Sequence, residues 1–407
     1  MRRFDRVLFV GLVFACLAAL DAAAQICPAP GPAPPPSELP PSGAFDCTRG
    51  GAVAGLLAVK EPVADRYIVV LRETPEVAAT TEKLGKRYGL TAQRLYQHAL
   101  HGFAGKMNPG QAKQLAEDPE VAFVEQVGKV RISAVASWGL DRIDQRDLPL
   151  DQSFTPPSAG AGIHAYVFDT GLDASHVDFT GRIGEGYASV PGGCADDHGH
   201  GTHVAGTIGG TSYGVAKSVT IHPIRVLQAG AGSTDGVIAG IDWATSHVNA
   251  NRWPAVANLS LGGFPSVALD LAVCRSLAAG IQYGIAAGNS NVSACGSSPA
   301  RVWQAMTVGA SAITDARASF SNWGACTDLF APGQNILSAR RGGGEATMSG
   351  TSMAAPHVTG ALALCLAQTP GSTPKQLEAC LESAATPNKI TSPGSGSPNL
   401  LLFVGPL

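Results

Sequence analysis

His164-Ala165-Tyr166-Val167-Phe168-Asp169 is an apolar run that stops on a carboxylate, and a Thr170-Gly171 turn follows it. Similar runs recur at Ile221 to Leu227, Ala255 to Leu261, Ile281 to Ala287 and Ala305 to Val308, with Gly-rich turns and helical stretches between them. Continuous rather than alternating apolar runs are what strands buried on both faces show. The expected fold is therefore α/β, a doubly wound, mostly parallel sheet flanked by helices, over about residues 133–407. In such sheets functional groups gather beyond the carboxyl ends of the strands, which is where Asp169 falls.

Outward from this domain the grammar changes. Asp65 to Leu71 reads as a strand, Pro75 to Tyr88 as a helix with Val77, Leu84 and Tyr88 as apolar positions, and His101 to Met107 as a strand. Asn108 caps a helix to Ala116 with Pro109 in its first position, and Val121 to Glu125 is a further strand. With room for a fourth strand, residues 65–132 form a small α+β domain of the ferredoxin-like kind. Ahead of it, residues 25–64 are expected as a Pro-rich segment whose first part, from Gln25 to about Pro41, is an extended tether without a core. Met1 to Ala24 opens with Arg2, Arg3 and Arg6, runs through apolar Val7 to Leu20 and ends in Ala22-Ala23-Ala24. That is the pattern of a secretory signal peptide, too short in its apolar run to span a bilayer. A secreted, extracellular protein without a membrane attachment after cleavage is expected.

Composition narrows the function. Lys plus Arg (28) nearly balances Asp plus Glu (31), so nothing favours a nucleic-acid partner. Nine cysteines in a chain that opens with a secretion signal predict disulfides. Cys16 leaves with the signal; Cys27 and Cys47 fall in the N-terminal segment; Cys194, Cys274, Cys295, Cys326, Cys365 and Cys380 fall in the large domain.

Three segments carry candidate chemistry. Asp169 at the end of its strand can orient an imidazole by accepting a ring N–H. Its D-T-G also fits an aspartic peptidase, but no second such tripeptide occurs and that chemistry needs two carboxylates. His200, between Gly199 and Gly201, has the exposure a general base requires; the neighbouring His198 and His203 suggest zinc, although Gly and Thr stand where a zinc helix has Glu. Ser352, in Ser349-Gly350-Thr351-Ser352-Met353-Ala354-Ala355-Pro356, sits at a helix N-terminus, since Pro356 is tolerated only among the first residues of a helix. Its hydroxyl needs a base such as His200 to act as a nucleophile. Asn289, after the strand ending Ala286-Ala287-Gly288, can donate to an oxyanion.

D-T-G, H-G-T-H-V-A-G, S-L-G-G, A-A-G-N and G-T-S-M-A-A-P in this order resemble the subtilisin-like serine peptidases, and the proteinase K-like group most closely. The run Trp138-Gly139-Leu140-Asp141-Arg142-Ile143-Asp144-Gln145-Arg146-Asp147-Leu148-Pro149 is similar to its extracellular bacterial aqualysin-like members. The resemblance implies a secreted serine endopeptidase with Ser352 as nucleophile, His200 as base, Asp169 orienting it and Asn289 as oxyanion donor. It implies that Ser260-Leu261-Gly262 and Ala286-Ala287-Gly288 wall a wide, apolar P1 pocket accepting apolar or aromatic residues. Gly230-Ala231-Gly232 would form the opposite rim, the substrate peptide lying between them as an added strand. The small domain resembles the family's inhibitory propeptide, a folding template and intramolecular inhibitor, with self-cleavage expected near Arg131 to Ala134. Calcium is implied at Asp328 with the carbonyls of Trp303 and Ala305, and at Asp141, Asp144 and Gln145 with Asp151 nearby; no organic cofactor is expected, and the enzyme is expected to be a monomer. The resemblance pairs Cys295 with Cys326. Cys365 and Cys380 straddle a helix–turn–helix around Pro370-Gly371 and can pair, leaving Cys194 with Cys274 by elimination, although the related pattern places the partner of Cys194 near Leu227, where position 228 is Gln. A reading from another class is a catalytically silent secreted binding protein that keeps the fold.

Overall fold

Strand β6 (His164–Asp169) lies in the interior of a nine-stranded sheet because both of its faces are apolar. Ala165 and Val167 pack into one core, and Tyr166 and Phe168 into another on the opposite face. The computed structural model describes residues 54–59, 62–72, 74–131 and 138–405, with the backbone alone at 129–131. The signal peptide, the Pro-rich tether, Cys27, Cys47 and residues 132–137, where the expected cleavage segment continues, lie outside the described residues.

The other strands of the sheet are β7 (Tyr187–Ala188), β8 (Thr220–Arg225), β11 (Ala255–Leu259), β12 (Gln282–Ala286), β13 (Met306–Ser311), β14 (Leu329–Pro332), β17 (Thr386–Pro387) and β18 (Leu400–Leu401). Their order is β17-β18-β14-β13-β12-β11-β6-β8-β7, parallel throughout except for β17 against β18. From β6 the chain first builds outward through β8, then returns to the other side of β6 with β11 and continues to β14. The order reverses between β6 and β11, and Asp169 and Ser260 lie at their carboxyl ends, where sheets of this kind gather functional groups. Helices α4 (His200–Gly209) and α7 (Thr351–Gln368) fill one face of the sheet, and α5 (Thr234–Asn251) and α6 (Val267–Ala278) the other.

The N-terminal domain has the expected ferredoxin-like order. Strands β2 (Pro62–Leu71), β3 (Ala92–Tyr96), β4 (Gly102–Lys106) and β5 (Val121–Arg131) pair antiparallel as β3-β4-β2-β5, with α1 (Val77–Tyr88) and α2 (Pro109–Ala116) between them in sequence. Asn108 caps α2 in a reciprocal capping box with Gln111, and Pro109 takes the first helical position. Two features depart from expectation. A short strand β1 (Gly55–Leu57) pairs parallel with β5, so ordered structure begins before Asp65. Strand β5 also runs to Arg131 and pairs antiparallel with β10 (Ala231–Ser233), which pairs in turn with β9 (Leu227–Gln228). One sheet thereby runs from the small domain onto the rim of the large one.

The disulfides correct one expectation. Cys295–Cys326 and Cys365–Cys380 are bonded, the second tying α7 to α8 (Pro374–Ala384). Cys274 is also in a disulfide, but not with Cys194, which is a free thiol. Cys274 sits in α6 within the core on the α5/α6 face, whereas Cys194 precedes α4 and packs its Sγ beside Gly186 at the β7/β8 edge.

Candidate active site

Asp169, the last residue of β6, is fully buried and its Oδ1 lies 2.7 Å from Nδ1 of His200, the first residue of α4. A carboxylate on Nδ1 fixes the tautomer with hydrogen on that nitrogen, which leaves Nε2 as the basic atom. Among the described residues Nε2 has no hydrogen-bond partner. Gly199 holds φ at +104° just before the histidine, a left-handed turn that a side chain would strain. At Gly201 a β-carbon would come within 2.2 Å of the Gly171 carbonyl, so α4 can press against the D-T-G turn only because that position is bare.

Ser352 is the second residue of α7 and is nearly inaccessible. Its Oγ donates to the Ser260 carbonyl at 3.2 Å, and Ser260 Oγ donates to the Ser352 carbonyl at 2.7 Å. Asn258 steadies that hydroxyl from its amide at 2.8 Å. Pro356 is the sixth helical residue, deeper than the tolerated first turn. The N–H it lacks would have bonded the Ser352 carbonyl, and Ser260 supplies a donor instead. Asn289 is aimed by a neighbour that the sequence reading did not single out. Thr351 donates to Asn289 Oδ1 from its backbone N–H at 2.8 Å and from its hydroxyl at 3.2 Å, so the oxygen end of the amide is taken up and Nδ2 is its donor end.

Of the expected groove residues, Ala231 and Gly232 pair with Arg131 and Val130 of β5, so this rim already holds an extended chain as an added strand. Gly230 is not in the pairing; it takes φ +80° in the turn between β9 and β10. Ser260 and Leu261 continue the chain past the carboxyl end of β11 and are buried, with Gly262 following. Ala286 ends β12, and Ala287 packs against the Cys295–Cys326 disulfide. Asn322 donates from its amide to the Ala287 carbonyl at 2.8 Å and accepts from Ser290 and Val292, which shapes the loop carrying Gly288 and Asn289.

The small domain is fastened to α5 and α6 by carboxylates. Asp242 accepts the backbone N–H groups of Gln97, His98 and Ala99 at 2.6 to 3.2 Å. Asp235 pairs with Arg66 and Arg94. Glu125 accepts from Ser266 Oγ and the Ala268 N–H at the start of α6.

For the metal positions, Asp144 Oδ2 accepts from the Thr155 N–H at 2.6 Å, while its Oδ1 is buried and unpartnered. Burial, then the nearby Asp151 and Asp141, hold the Asp144 pKa above the usual carboxylate range. Asp141 and Gln145 accept backbone N–H groups of Asp151 and Gln152 in the same loop. Asp328 accepts the Thr307 N–H at 2.6 Å, two residues past Ala305 and four past Trp303, and desolvation together with Glu378 and Glu382 pushes its pKa well up. The buried, unpartnered Oδ1 of Asp144 suits a hard, oxygen-seeking cation such as calcium. Among the described residues no three His, Cys, Asp or Glu side chains form a metal-holding group, and this includes His198, His200 and His203. His203 instead reaches the Ile336 carbonyl at 3.0 Å, its pKa lowered to about 3 mainly by burial.

Residues 160–400 match the model of the subtilase family, and residues 66–133 that of the peptidase inhibitor I9 family. The chain belongs to the subtilase family. Its I9 match coincides with the ferredoxin-like domain. An extracellular serine proteinase of Thermus sp. (strain Rt41A) is 52% identical over 85% of this chain and 91% of the relative. Alkaline serine exoprotease A of Vibrio alginolyticus is 45% identical over 84% of this chain and 67% of its own length. A crystal structure of a cold-adapted subtilisin-like serine proteinase superposes with a TM-score of 0.63 at 51% identity, covering 66% of this chain and 98% of that one. This subtilase is a subtilisin-like serine proteinase that carries its I9 domain on the same chain. Among the described residues no helix is long and apolar enough to cross a membrane.

Proposed function

We propose that this subtilase is a secreted endopeptidase, made as a self-processing precursor, that hydrolyses peptide bonds through an acyl-enzyme. The observation that carries the reading is the Asp169–His200 hydrogen bond, which leaves the basic Nε2 without a partner among the described residues. Ser352 Oγ swings from the Ser260 carbonyl toward Nε2, gives up its proton there and bonds the substrate carbonyl carbon. The tetrahedral oxyanion takes hydrogen bonds from Asn289 Nδ2 and the Ser352 N–H at the start of α7. Nε2 returns the proton to the leaving amine as the C–N bond breaks; water then repeats the sequence on the ester and frees Ser352. Asp169 stabilises the imidazolium throughout. Because His200 acts as a neutral base, activity belongs to neutral and alkaline pH.

The pairing of β5 with β10 supports substrate addition as an antiparallel strand and self-cleavage shortly after Arg131. Small residues at Gly262 and Ala286 to Gly288 support a broad apolar or aromatic P1 preference. Two calcium ions, one held by Asp328 with the Trp303 and Ala305 carbonyls, the other by Asp141, Asp144 and Gln145, would stabilise loops and take no part in the chemistry. The name of the Thermus relative, an extracellular serine proteinase, supports secretion. The test is active-site titration with a sulfonyl fluoride on the wild type and on Ser352→Ala. Stoichiometric labelling of the wild type alone, with peptide hydrolysis falling roughly 10⁶-fold in the variant, is expected, the scale known for subtilisin itself. An unlabelled wild type would identify a silent binding protein. Retention of residues 25–131 by Ser352→Ala in a protease-free host checks self-processing.

A further inference from the structure

The chain just ahead of α4 contains a carboxylate that neither the triad nor the groove uses. Asp196 is almost entirely buried, yet every lobe of its carboxylate is occupied. Oδ1 accepts from Thr170 Oγ1 at 2.8 Å, from the His198 N–H at 2.9 Å and from the Gly199 N–H at 2.8 Å. Oδ2 accepts from the Thr202 N–H at 2.9 Å and from Thr202 Oγ1 at 2.5 Å. Thr170 is the residue after Asp169, and its Oγ1 also accepts the Gly201 N–H at 2.9 Å. Thr202 Oγ1 in turn accepts the Asp173 N–H at 3.0 Å. The N-cap position of α4 is Gly199, which has no side chain to offer, so the orphan N–H groups of the first turn are met by Thr170 and Asp196 from outside the helix.

We propose that Asp196 is a positioning residue for catalysis, a carboxylate that clamps the start of the His200 helix to the turn following Asp169. The proposal rests on the reading of Asp169, His200 and Ser352 as a triad. The clamp fixes two partners that arrive on separate elements, β6 and α4, through atoms on both sides of the Asp169–His200 bond. Backbone pairing joins the turn only to the stretch ahead of α4, from the Leu172 N–H to the Cys194 carbonyl at 2.9 Å and from the Asp196 N–H to the Leu172 carbonyl at 3.2 Å; the first turn of α4 itself is held by the side chains of Thr170, Asp196 and Thr202. Asp196 remains a full acceptor: burial opposes its charge, but the bonds from Thr202, Gly199 and His198 outweigh that and hold its pKa below the ordinary value. Its charge sits against the N–H of Gly199, the residue before His200.

Asp196→Asn tests this, since an amide cannot accept at both ends, and its NH₂ would face existing N–H or O–H donors. The variant is expressed as the full chain, matured, and assayed per sulfonyl-fluoride-titrated site on a peptide amide. The expected result is a kcat lower by about 10- to 100-fold with KM within about twofold, the scale of a reacting group displaced by about 1 Å. The acid limb of kcat/KM should also move to lower pH by roughly half a unit or more, because a negative charge near the imidazolium is lost. A kcat within twofold and an unmoved acid limb would overturn the proposal. Should Asp196→Asn fail to accumulate, Thr170→Ser and Thr170→Val decide, since the first keeps the hydroxyl link and the second removes it. Serine keeping kcat while valine loses about tenfold supports the clamp; equal behaviour overturns it. A wild type that takes up no label would instead sink the triad reading beneath it.

Discussion

At its lower end β6 begins with His164, whose Nδ1 lies 2.8 Å from Nε2 of His222 and whose ring stacks on Trp253 with centroids 4.0 Å apart. At its upper end it stops at Asp169, which holds Nδ1 of His200 at 2.7 Å. Both ends pair an imidazole with a neighbour across adjoining elements, in surroundings opposite in polarity. Below, His222 gives its Nδ1–H to the Glu185 carbonyl, so its Nε2 accepts from His164; its ring stacks on Tyr166, and His247 bonds the Tyr166 hydroxyl at 3.0 Å. The only acid facing this group among the described residues is Glu185, largely exposed and 3.6 Å from His247 Nε2. Burial first, then the other histidines, lower the His222 pKa to about 4, and burial with His247 lowers that of His164. A protonated His222 would set two N–H groups against each other. The comparison teaches that what surrounds an imidazole, more than burial itself, decides whether it works as a base or as a fixed neutral bond.

Replacing Asp169 by Asn makes the upper pair resemble the lower, a neutral partner for a neutral ring. Hydrolysis should fall about 10⁴-fold with the fold intact, measured as kcat on titrated enzyme, since the wrong tautomer is then held. Asn289→Leu leaves the pair alone and removes only the proposed oxyanion donor; kcat should drop about 10²- to 10³-fold with KM little changed. At the lower end the effect should fall on stability. A base whose folded pKa lies below its unfolded value disfavours protonation on folding, so the stability tied to His222 is complete above about pH 6.5 and is lost as the pH falls toward about 4. Urea unfolding of wild type against His222→Phe should show the variant's pH slope shallower by up to roughly 1.4 kcal/mol per unit in that window, with peptide hydrolysis at pH 8 unchanged. An equal slope would mean that the cluster does not titrate on unfolding. Tyr166→Phe, which strips one hydroxyl from His247, should cost about 1 kcal/mol at neutral pH by the same measurement.

The upper end was legible because its chemistry sits in contiguous words: D-T-G, H-G-T-H and G-T-S-M each keep a functional side chain beside the glycines and small residues that admit it. The lower cluster was not, because positions 164, 222 and 247 meet only after three elements have packed, and each histidine alone reads as an ordinary core residue. The parallel sheet followed from runs such as HAYVF, whereas β1 and the last six residues of β5 were missed. Those strands take their order from pairing with a neighbour rather than from their own pattern. The expected Cys194–Cys274 bond failed because counting cysteines says nothing about which face of a sheet carries each one. Thr351 and Asp196 were passed over for a related reason: their work is to hold other groups, and nothing in a lone Thr or Asp announces that.

Pro356 carries a quieter lesson. By withholding one amide hydrogen four residues after Ser352, it keeps the helix from closing on itself at the point where closure would occupy the Ser352 carbonyl. That oxygen is handed to Ser260, just past the end of β11, and Ser352 is thereby moored to the sheet as well as to its own coil. An imperfection in regular structure is here the fastening between two parts of the machine.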